Sequence, residues 1–491
     1  MSVLRKLAGS TAIYAVGSFG ARAIALLLLP VYTRFLTPAD YGVVAIAGAA
    51  TSLLLVLITV SLHGSITYIW FKAEDPLSRK RDVGSVWLAM TVLTLVGALT
   101  VTWAGTFFPS SLAGDIPFDP YIRLAVWIAV AISLGYIPLG LLQAEERPVA
   151  YATLTLAAAL ATAAAILWQI TIRRAGAEGY LYGMLLGGLA IAPVYFAVLR
   201  PRISLRIRPQ TVRLALGYSL PLVPHGIAAW LLELSDRLVL ERFVQLDEVG
   251  LYSIGYVLST MVYMAATALN QAWLPVMFKR ANAGRDEAAP LIADYASYFA
   301  VAVAWFALGL ALFAEAVLIA LTAPSYAGAA VVMPTVILAM VMQSLYLIPV
   351  GLLFQSKRTW PISVATLASG AVNVAANFAM VPQLGIRGAA LATLVSYTLM
   401  LYLVWRTANR IFPVPYQYRR LAALGGTALA LYLAGQCLPV GTAPWVLLTK
   451  LLLWGALPVA LWFGGFLTER ERLVARDLIR RLSRRTPGAP R

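Results

Sequence analysis

The sequence predicts an all-helical polytopic membrane protein of about fourteen transmembrane helices, the first twelve being two copies of one six-helix unit. Composition is the first observation: of 491 residues, 61% are hydrophobic and only 12% are charged, whereas a soluble chain carries about 25% charged residues. The second is a series of long apolar windows, and the third is a set of repeated motifs. Water would not solvate such a surface, so a lipid bilayer is expected to do so.

The apolar windows are rich in Ala, Leu, Gly and Val, which predicts helices rather than the shorter, alternating strands of a membrane barrel. The first window is too long for the apolar core of a cleaved signal peptide, so we interpret it as a span. Every connection between windows is short. The windows lie near residues 10–32, 43–70, 84–107, 121–143, 150–171, 180–199, 212–236, 249–272, 294–314, 328–354, 360–381, 386–405, 420–438 and 444–467.

The arginine and lysine residues predict the orientation of the spans. With a cytoplasmic N-terminus, 29 of the 38 basic residues fall on the cytoplasmic side and six on the opposite side. Both termini are then cytoplasmic, and residues 469–491 form a basic tail that contacts anionic lipid. The net charge of +17 therefore reflects loops beside membrane spans rather than nucleic-acid binding.

Three pairs of segments recur in the same order at offsets of 206 to 211 residues. They are 34-RFLTPADYG-42 with 242-RFVQLDEVG-250, 137-IPLGLLQAEER-147 with 348-IPVGLLFQSKR-358, and Gly179 and Arg200 with Gly385 and Arg406. An even number of spans in each copy means that both copies enter the membrane from the same side. The copies should then be related by an axis along the membrane normal, with a cleft between two bundles.

The repeat and the hydropathy pattern together divide the chain into four regions. We predict an N-terminal six-helix bundle at 1–205 and a C-terminal six-helix bundle at 206–412. Two additional transmembrane helices follow at 413–468, and the basic tail occupies 469–491. Rocking of the two bundles around a site near the midplane would provide alternating access.

The motif 30-PVYTRFLTPADYG-42 resembles the start of polysaccharide-biosynthesis flippases. These O-antigen-type lipid-linked oligosaccharide translocases belong to the multidrug/oligosaccharidyl-lipid/polysaccharide exporter superfamily, which also holds the lipid II flippases and the MATE exporters. The segments 235-SDRLVLERFVQLDEVGLYS-253 and 384-LGIRGAALATLVSY-397 are similar to two further signatures of that family. The resemblance covers residues 1 to about 410. It implies a MATE-like fold and the inner membrane of a bacterium.

The same resemblance implies the movement of an undecaprenyl-pyrophosphate-linked oligosaccharide from the cytoplasmic to the periplasmic leaflet. Such a cargo requires a wide polar cleft, cations for the pyrophosphate and a lateral opening for the polyprenyl tail. The expected driving force is a proton or sodium gradient. The expected partners are this cargo, membrane lipids and a polysaccharide polymerase or export machinery, and the chain is expected to be a monomer.

Other functions are weighed against this one. A lipid II flippase is the nearest alternative, followed by a MATE-type drug or cation antiporter, whose cationic cargo would favour acidic cavity residues. A membrane glycosyltransferase or polymerase usually needs a long outer loop with catalytic residues, but the loop near 108–120 carries only Asp115 and Asp119. With no G-x-x-x-x-G-K-[ST] motif, one cysteine and two histidines, neither ATP hydrolysis nor a cofactor or metal is predicted.

Arg22 lies near the centre of the first window, where an ionisable group is costly unless it faces a cavity or a partner. Tyr14 and Ser18 precede it at spacings that place all three on one helical face. A guanidinium is suited to bind a phosphate through two hydrogen bonds, so these residues are candidate cargo ligands. Alternatively, Arg22 pairs with a carboxylate such as Glu233 and holds two helices together.

The seventh window carries the candidates for ion coupling and gating. Its prolines interrupt the hydrogen-bond ladder and predict a bend that a moving gate could use. Glu233 or Asp236 could bind the coupling ion, or Asp236 could instead form an ion pair with its neighbour. A histidine titrates near neutral pH, which suits proton coupling, although a buried histidine is more often a hydrogen-bonded helix contact. The candidates are Pro221, Pro224, His225, Glu233, Asp236 and Arg237.

Polar residues in other windows complete the candidate cleft. His63 and Gln271 are counterparts in the repeat and are expected to line its cytoplasmic end. Asn373 and Asn377, one turn apart, are either interhelical hydrogen-bonding groups or sugar ligands.

The duplication also separates inherited charges from unshared ones. Charges present in both copies are expected to stabilise loop geometry, and unshared charges to serve cargo binding or coupling. The shared pairs are Arg34 with Arg242 and Asp40 with Glu248, and the unshared charges are Arg22, Glu233 and Asp236.

Overall fold

The computed structural model describes residues 2–107, 116–439, 441–464 and 466, with the backbone alone described for 2–12 and 283. Within these ranges the chain is α-helical with short 3₁₀ and π segments, and it contains no strand. Thirteen of the described helices are long and apolar enough to cross a membrane. We number them spans 1 to 12 and 14: Ile13–Phe35, Pro38–Thr59, Pro76–Gly105, Phe118–Ala144, Pro148–Ile172, Gly176–Arg202, Pro209–Glu233, Leu246–Asn282, Arg285–Leu312, Met333–Gln355, Trp360–Leu384, Ile386–Ile411 and Pro444–Phe463.

The predicted thirteenth span corresponds to the helix Tyr418–Gln436, which is 19 residues long. Arg419 and Arg420 lie in its first turn and lower its mean hydropathy, so it is not among the thirteen candidate spans. We call it helix 13. About fourteen spans were predicted. The described residues contain thirteen candidate spans, and helix 13 lies at the position of the remaining predicted span. The predicted basic tail at 469–491 lies outside the described residues.

The chain divides into two compact units. Unit 1 comprises Met1–Tyr256, Leu318–Val332 and Ser363–Ser396, and unit 2 comprises Val257–Val317, Met333–Ile362 and Tyr397–Arg491. This division follows packing, whereas the predicted boundaries of the bundles follow the sequence repeat. The boundaries of the repeat units therefore stay a prediction.

Within unit 1, spans 2 and 7 lie side by side with opposite chain directions. Near one end of the pair, the Trp230 indole donates a hydrogen bond to the Ala49 carbonyl oxygen at 2.8 Å. Toward the other end, the rings of Tyr68 and Tyr218 stack at a centroid distance of 5.4 Å. Span 7 is therefore in contact with the first copy of the repeat along most of its length.

The second predicted window, 43–70, is not one continuous helix. The α-helix ends before Val60 and Ser61, which both adopt left-handed backbone conformations with φ of 50° and 52°. The chain continues as a 3₁₀ turn, Leu62–Ser65, and a short helix, Ile66–Lys72. A β-branched valine in this conformation is strained by about 1–3 kcal/mol. Hydropathy alone did not reveal this break, because the window stays apolar across Val60 and neither Val60 nor Ser61 is a residue type that usually adopts this conformation.

Two glycines from equivalent positions of the repeat, Gly42 and Gly250, meet in unit 1. A Cβ built on Gly250 would lie 3.1 Å from the Gly42 nitrogen and would overlap the Pro38 carbonyl oxygen, while one on Gly42 would overlap the Leu246 carbonyl oxygen. The helix starts of spans 2 and 8 therefore approach backbone to backbone, and only glycine allows this approach. The local axis relating these two segments passes between the two glycines.

The repeat is also visible in backbone conformation. Glu146 and Lys357, equivalent positions of the second motif pair, both adopt positive φ, 54° and 56°. The third pair needs a correction. The sequence comparison matched Gly179 with Gly385, but Gly176, not Gly179, shares the positive φ of Gly385.

The corrected pair explains the shared acidic residues of the repeat. Asp40 caps span 2 through Thr37 and also accepts a hydrogen bond from the Ala177 backbone at 3.1 Å, next to Gly176. In the second copy, a Glu248 carboxylate oxygen lies 3.9 Å from a Cβ built at Gly385. In both copies of the repeat, the conserved acidic position therefore lies beside a glycine with positive φ at the start of the sixth span of that copy.

Substitution of Gly42 by alanine should destabilise the protein by about 1–3 kcal/mol, since the added methyl group overlaps backbone that cannot rotate away. Gly48→Ala is the matched control in the same span, because a Cβ there meets no atom within 4 Å. It should cause no loss and could add about 1 kcal/mol of helix stability. Thermal unfolding in detergent measures both, and equal stability of the two variants would contradict the close approach.

Candidate functional site

Arg22 in span 1 and Glu233 at the end of span 7 are both exposed in unit 1. Arg22 is close enough for its charge to act on the Glu233 carboxylate. Among the described residues, however, no ion pair within 4.0 Å involves either side chain. Arg237, which donates a hydrogen bond to the Glu233 carbonyl oxygen at 2.6 Å, is a second cation close to this carboxylate.

The helical face that carries Arg22 contacts span 5. Ser18 Oγ lies 3.5 Å from the Tyr151 hydroxyl, and the rings of Tyr14 and Tyr151 meet edge to face at 5.2 Å. The helices can approach because a Cβ on Gly17 would lie only 2.8 Å from the Ala152 Cα. The Tyr14 hydroxyl is buried without a hydrogen-bond partner. Spans 1 and 5 thus bring Tyr14 and Ser18 to one polar face beside Arg22.

Span 7 is interrupted at Pro221, since one helix ends at Ser219 and the next begins at Leu222. Pro221, Pro224 and His225 are all exposed. The interruption separates the part of span 7 beside the Tyr68–Tyr218 stack from the part that carries Glu233. The gating role of these prolines stays a prediction.

A second break follows Glu233, where Leu234 leaves helical geometry at φ −132°. Asp236 and Arg237 therefore belong to a separate short helix, Ser235–Glu241, rather than to a continuous face shared with Glu233. Asp236 Oδ1 accepts hydrogen bonds from the Arg237 backbone at 2.9 Å and from its guanidinium at 2.7 Å. This is the end-of-helix ion pair that the sequence left open as the alternative to ion coupling.

The Asp236–Arg237 pair is enclosed by aromatic rings. The Tyr252 hydroxyl donates to Asp236 Oδ2, and the Arg237 guanidinium lies 4.3 Å from the centroid of the Tyr256 ring. Only 2% of Asp236 and 5% of Arg237 is exposed. Both carboxylate oxygens of Asp236 are thus occupied, which leaves Glu233 as the more accessible of the two candidate coupling carboxylates.

Asn373 and Asn377 are buried in span 11. Asn377 donates hydrogen bonds to the carbonyl oxygen and side-chain oxygen of Asn373 at 2.9 and 3.0 Å, and the Ser235 hydroxyl donates to Asn373 at 3.4 Å. These contacts connect span 11 to the helix that carries the Asp236–Arg237 pair. The Asn373 side-chain nitrogen and the Asn377 side-chain oxygen are buried without a hydrogen-bond partner within the protein. The choice between an interhelical role and a sugar-binding role therefore stays a prediction.

His63 and Gln271 lie in different compact units, so each is described separately. His63 is in the 3₁₀ turn after the break in span 2, with its ring 4.2 Å from that of Tyr136 and its Nδ1 buried without a hydrogen-bond partner. Gln271 is exposed on span 8 in unit 2. Their shared role in a cleft stays a prediction.

Unit 2 contains an apolar cavity of about 640 Å³ that the sequence did not predict. Spans 9, 10 and 12 and helix 13 contribute its walls. Its lining is almost entirely aliphatic and aromatic, with tyrosines Tyr402, Tyr416, Tyr418 and Tyr432 among the lining residues. No local motif marks this cavity, because its lining residues come mainly from four separate helices and run from Ala296 to Tyr432.

The helical architecture is that of the MATE-like fold. It is similar to the structure of the lipid II flippase MurJ in an inward closed conformation, with a TM-score of 0.73 and 11% identity over 93% of this chain and all of that one. It is also similar to an inward-facing MATE family multidrug transporter of the MOP superfamily, with a TM-score of 0.63 and 14% identity over 83% of this chain and 96% of that one. These likenesses establish the fold.

The chain belongs to the polysaccharide biosynthesis protein family, whose model matches residues 7–280. A curated relative, the Lsg locus putative protein 1 of Haemophilus influenzae (strain ATCC 51907 / DSM 11121 / KW20 / Rd), is 24% identical over 284 residues, or 56% of this chain. The match spans 66% of that relative's length, just under two thirds. The resemblance noted in the sequence is thereby confirmed at the level of family and fold.

Removal of one member of the Asp236–Arg237 pair should destabilise the protein, because the other charge would remain buried and unpaired. Arg237→Ala is expected to lower the free energy of unfolding by about 3–5 kcal/mol. Arg242→Ala, which removes an exposed arginine at the end of the same short helix, should change it by less than about 0.5 kcal/mol. Denaturant unfolding in detergent distinguishes the two, and similar small effects would show that the pair does not stabilise the fold.

Proposed function

We propose that this protein is a flippase that moves an undecaprenyl-pyrophosphate-linked oligosaccharide from the cytoplasmic to the periplasmic leaflet by alternating access. The observation that carries the proposal is an exposed arginine, Arg22, within a membrane span and without an ion-pair partner among the described residues. An arginine at this depth is costly unless it serves a ligand, and its planar guanidinium matches a phosphate. Membership of a polysaccharide biosynthesis family supports a saccharide-bearing cargo.

The apolar cavity of unit 2 supports a cargo that also carries a lipid. Its almost entirely apolar lining and its volume of about 640 Å³ suit part of a polyprenyl chain. A polar head and an apolar tail require two separate environments in the transporter. Taken separately, the exposed charges of unit 1 suit a polar head, and the apolar cavity of unit 2 suits an apolar tail.

Coupling to a proton or sodium gradient is assigned to Glu233. Its carboxylate is exposed at the end of span 7 and is not held in an ion pair, whereas both oxygens of Asp236 are occupied. His225, exposed between the two breaks of span 7, is a second candidate for proton transfer. Ion binding beside the break at Leu234 would link coupling to bending of span 7.

Placement in the cell follows from the loop charges and from the cargo. We propose the inner membrane of a bacterium, with both termini in the cytoplasm, since the basic residues concentrate on that side. The proposed partners are the lipid-linked oligosaccharide, membrane lipids and the polymerase or export machinery that receives the product, and the chain is proposed to act as a monomer.

A lipid II flippase is the second candidate, since a protein described as the lipid II flippase MurJ gives a TM-score of 0.73. Both cargoes present the same diphosphate and polyprenyl chemistry to Arg22 and to the cavity, so only the sugar-bearing head separates them. A drug or cation antiporter is disfavoured because Arg22 would repel a cationic cargo. An enzymatic role receives no support from the loop at 108–120, where Asp119 forms an exposed ion pair with Arg123 at 2.8 Å and Asp115 lies outside the described residues.

In a bacterial strain that lacks its own oligosaccharide flippase, this protein should restore surface polysaccharide. Arg22→Ala should reduce the restored polysaccharide at least tenfold, since a charge-assisted hydrogen bond contributes about 1.5–3 kcal/mol. Arg34→Ala, which removes an exposed arginine from the end of the same span, is the control and should retain activity. Membrane levels of each variant are measured by immunoblot. Wild-type activity of Arg22→Ala would remove the phosphate-site assignment, and rescue of a lipid II flippase mutant alone would replace the proposed cargo.

Replacement of Glu233 by glutamine keeps the shape of the side chain and removes its charge. Transport by Glu233→Gln should lose its dependence on the imposed proton or sodium gradient, because the neutral amide binds neither ion. The measurement is movement of fluorescent lipid-linked oligosaccharide from one leaflet to the other in proteoliposomes, with and without each gradient. Asn373→Ala, at a buried position of span 11, serves as a comparison and should keep the gradient dependence. An unchanged gradient response of Glu233→Gln would eliminate this residue as the coupling site.

A further inference from the structure

Three polar atoms without hydrogen-bond partners within the protein lie on spans 8 and 9 of unit 2. They are the Asn270 side-chain oxygen, the Trp273 indole nitrogen and the Tyr295 hydroxyl, all of them buried. The Trp273 and Tyr295 rings stack nearly parallel at a centroid distance of 3.9 Å. Asn270 lies three residues before Trp273 in span 8, which places both on one helical face. The three atoms therefore belong to one cluster between spans 8 and 9.

The cluster lies at matching depths in its two helices. Trp273 is nine residues from the end of span 8, and Tyr295 is ten residues from the start of span 9. At 1.5 Å per residue, both are about 14 Å from the turn that joins these spans. On the orientation proposed above, this turn is cytoplasmic, so the cluster is on the side from which the cargo enters.

An interfacial aromatic belt does not explain this cluster. Tryptophan and tyrosine in such a belt direct their polar atoms toward lipid headgroups and water. Here the indole nitrogen and the hydroxyl are both enclosed by protein. Buried polar atoms nearly always have partners, because an unpaired one loses its hydrogen bonds to water without replacement. The cluster therefore presents three hydrogen-bonding groups that no other protein group uses.

The chain around the cluster can change shape. Pro275 lies inside span 8, two residues beyond Trp273. It has no N–H to donate to the Gln271 carbonyl oxygen, so the helix is weakened at this point. The exposed Gln271 side chain is next to the cluster in sequence. Bending at Pro275 would therefore uncover Asn270 and Trp273 without breaking a regular helical hydrogen bond.

The chemistry of the cluster is neutral and mixed. An amide oxygen accepts hydrogen bonds, an indole nitrogen donates one, and a phenol hydroxyl does both. The neighbouring carboxylate, Asp294, already accepts a hydrogen bond from Gln417 at 2.8 Å. Sugar hydroxyls both donate and accept, and the apolar faces of sugar rings pack against aromatic rings. A phosphate would instead require cationic groups.

We propose that Asn270, Trp273 and Tyr295 form a saccharide-binding subsite of unit 2, which holds the sugar head of the cargo before translocation. The inference rests on the proposed function and names the part of the cargo that this unit recognises. The groups that it binds are the hydroxyl groups of the sugar.

Phenylalanine substitutions test the subsite by removing the unpaired groups while keeping aromatic rings. The full-length protein is purified in detergent. The oligosaccharide is prepared separately, by mild acid release from the lipid-linked pool of the complemented strain, and is then added to the protein. This oligosaccharide should raise the Tm of the wild-type protein. Trp273→Phe and Tyr295→Phe should each weaken its binding about threefold to tenfold and reduce restored surface polysaccharide. Without oligosaccharide, Tyr295→Phe should keep its Tm, since the removed hydroxyl has no partner within the protein, whereas Trp273→Phe also loses ring contact with Tyr295 and should have a lower Tm.

Trp454→Phe is the matched control. Trp454 also stacks on an aromatic ring, that of Trp305 at 4.4 Å, but its indole nitrogen donates to the Trp305 carbonyl oxygen at 2.9 Å. This variant should lower the Tm and leave oligosaccharide affinity unchanged. Wild-type affinity in both Trp273→Phe and Tyr295→Phe would overturn the subsite, as would a fall in the Tm of Tyr295→Phe without oligosaccharide. Failure of the wild-type protein to restore polysaccharide while it binds the oligosaccharide would overturn the proposed function and leave the subsite standing.

Discussion

A charge inside a membrane protein has to be neutralised by other protein groups, and the Asp236–Arg237 pair meets this requirement in unit 1. Tyr252 and Tyr256 of span 8 close around the pair, and the Tyr252 hydroxyl also lies 3.4 Å from that of Thr393 in span 12. Ser235 connects the same short helix to span 11. Three spans are thus arranged around one ion pair, whose burial makes their packing interdependent.

The contrast between this pair and Arg22 with Glu233 organises the candidate site. Asp236 and Arg237 are buried beneath aromatic rings, whereas Arg22 and Glu233 are exposed. The sequence grouped Asp236 with Arg22 and Glu233 because its counterpart in the repeat is uncharged. The structure shows that this criterion selects two kinds of residue: Asp236, which is buried in an ion pair within the short helix after span 7, and Arg22 and Glu233, which are exposed and form no ion pair among the described residues.

Hydropathy predicted the helical class and the number of spans to within one. The repeated motifs predicted that Gly42 and Gly250, which meet in the structure, are equivalent positions. They did not predict the breaks at Val60 and Leu234, because neither residue type signals a helix end and tertiary packing enforces both. The apolar cavity and the cluster at Trp273 were also beyond prediction, since each requires side chains from separate spans. Charged residues stand out in an apolar sequence, whereas neutral hydrogen-bonding groups do not.

The contact between Gly42 and Gly250 has a consequence for the history of the fold. If a single six-span unit once assembled as a symmetric pair, this glycine would have met its own copy on the two-fold axis. Any larger side chain there would have clashed with itself, so one mutation would have carried a double penalty. After fusion of the two copies, each glycine can vary separately, but only if its neighbour stays small. The two positions should therefore change together in evolution rather than independently.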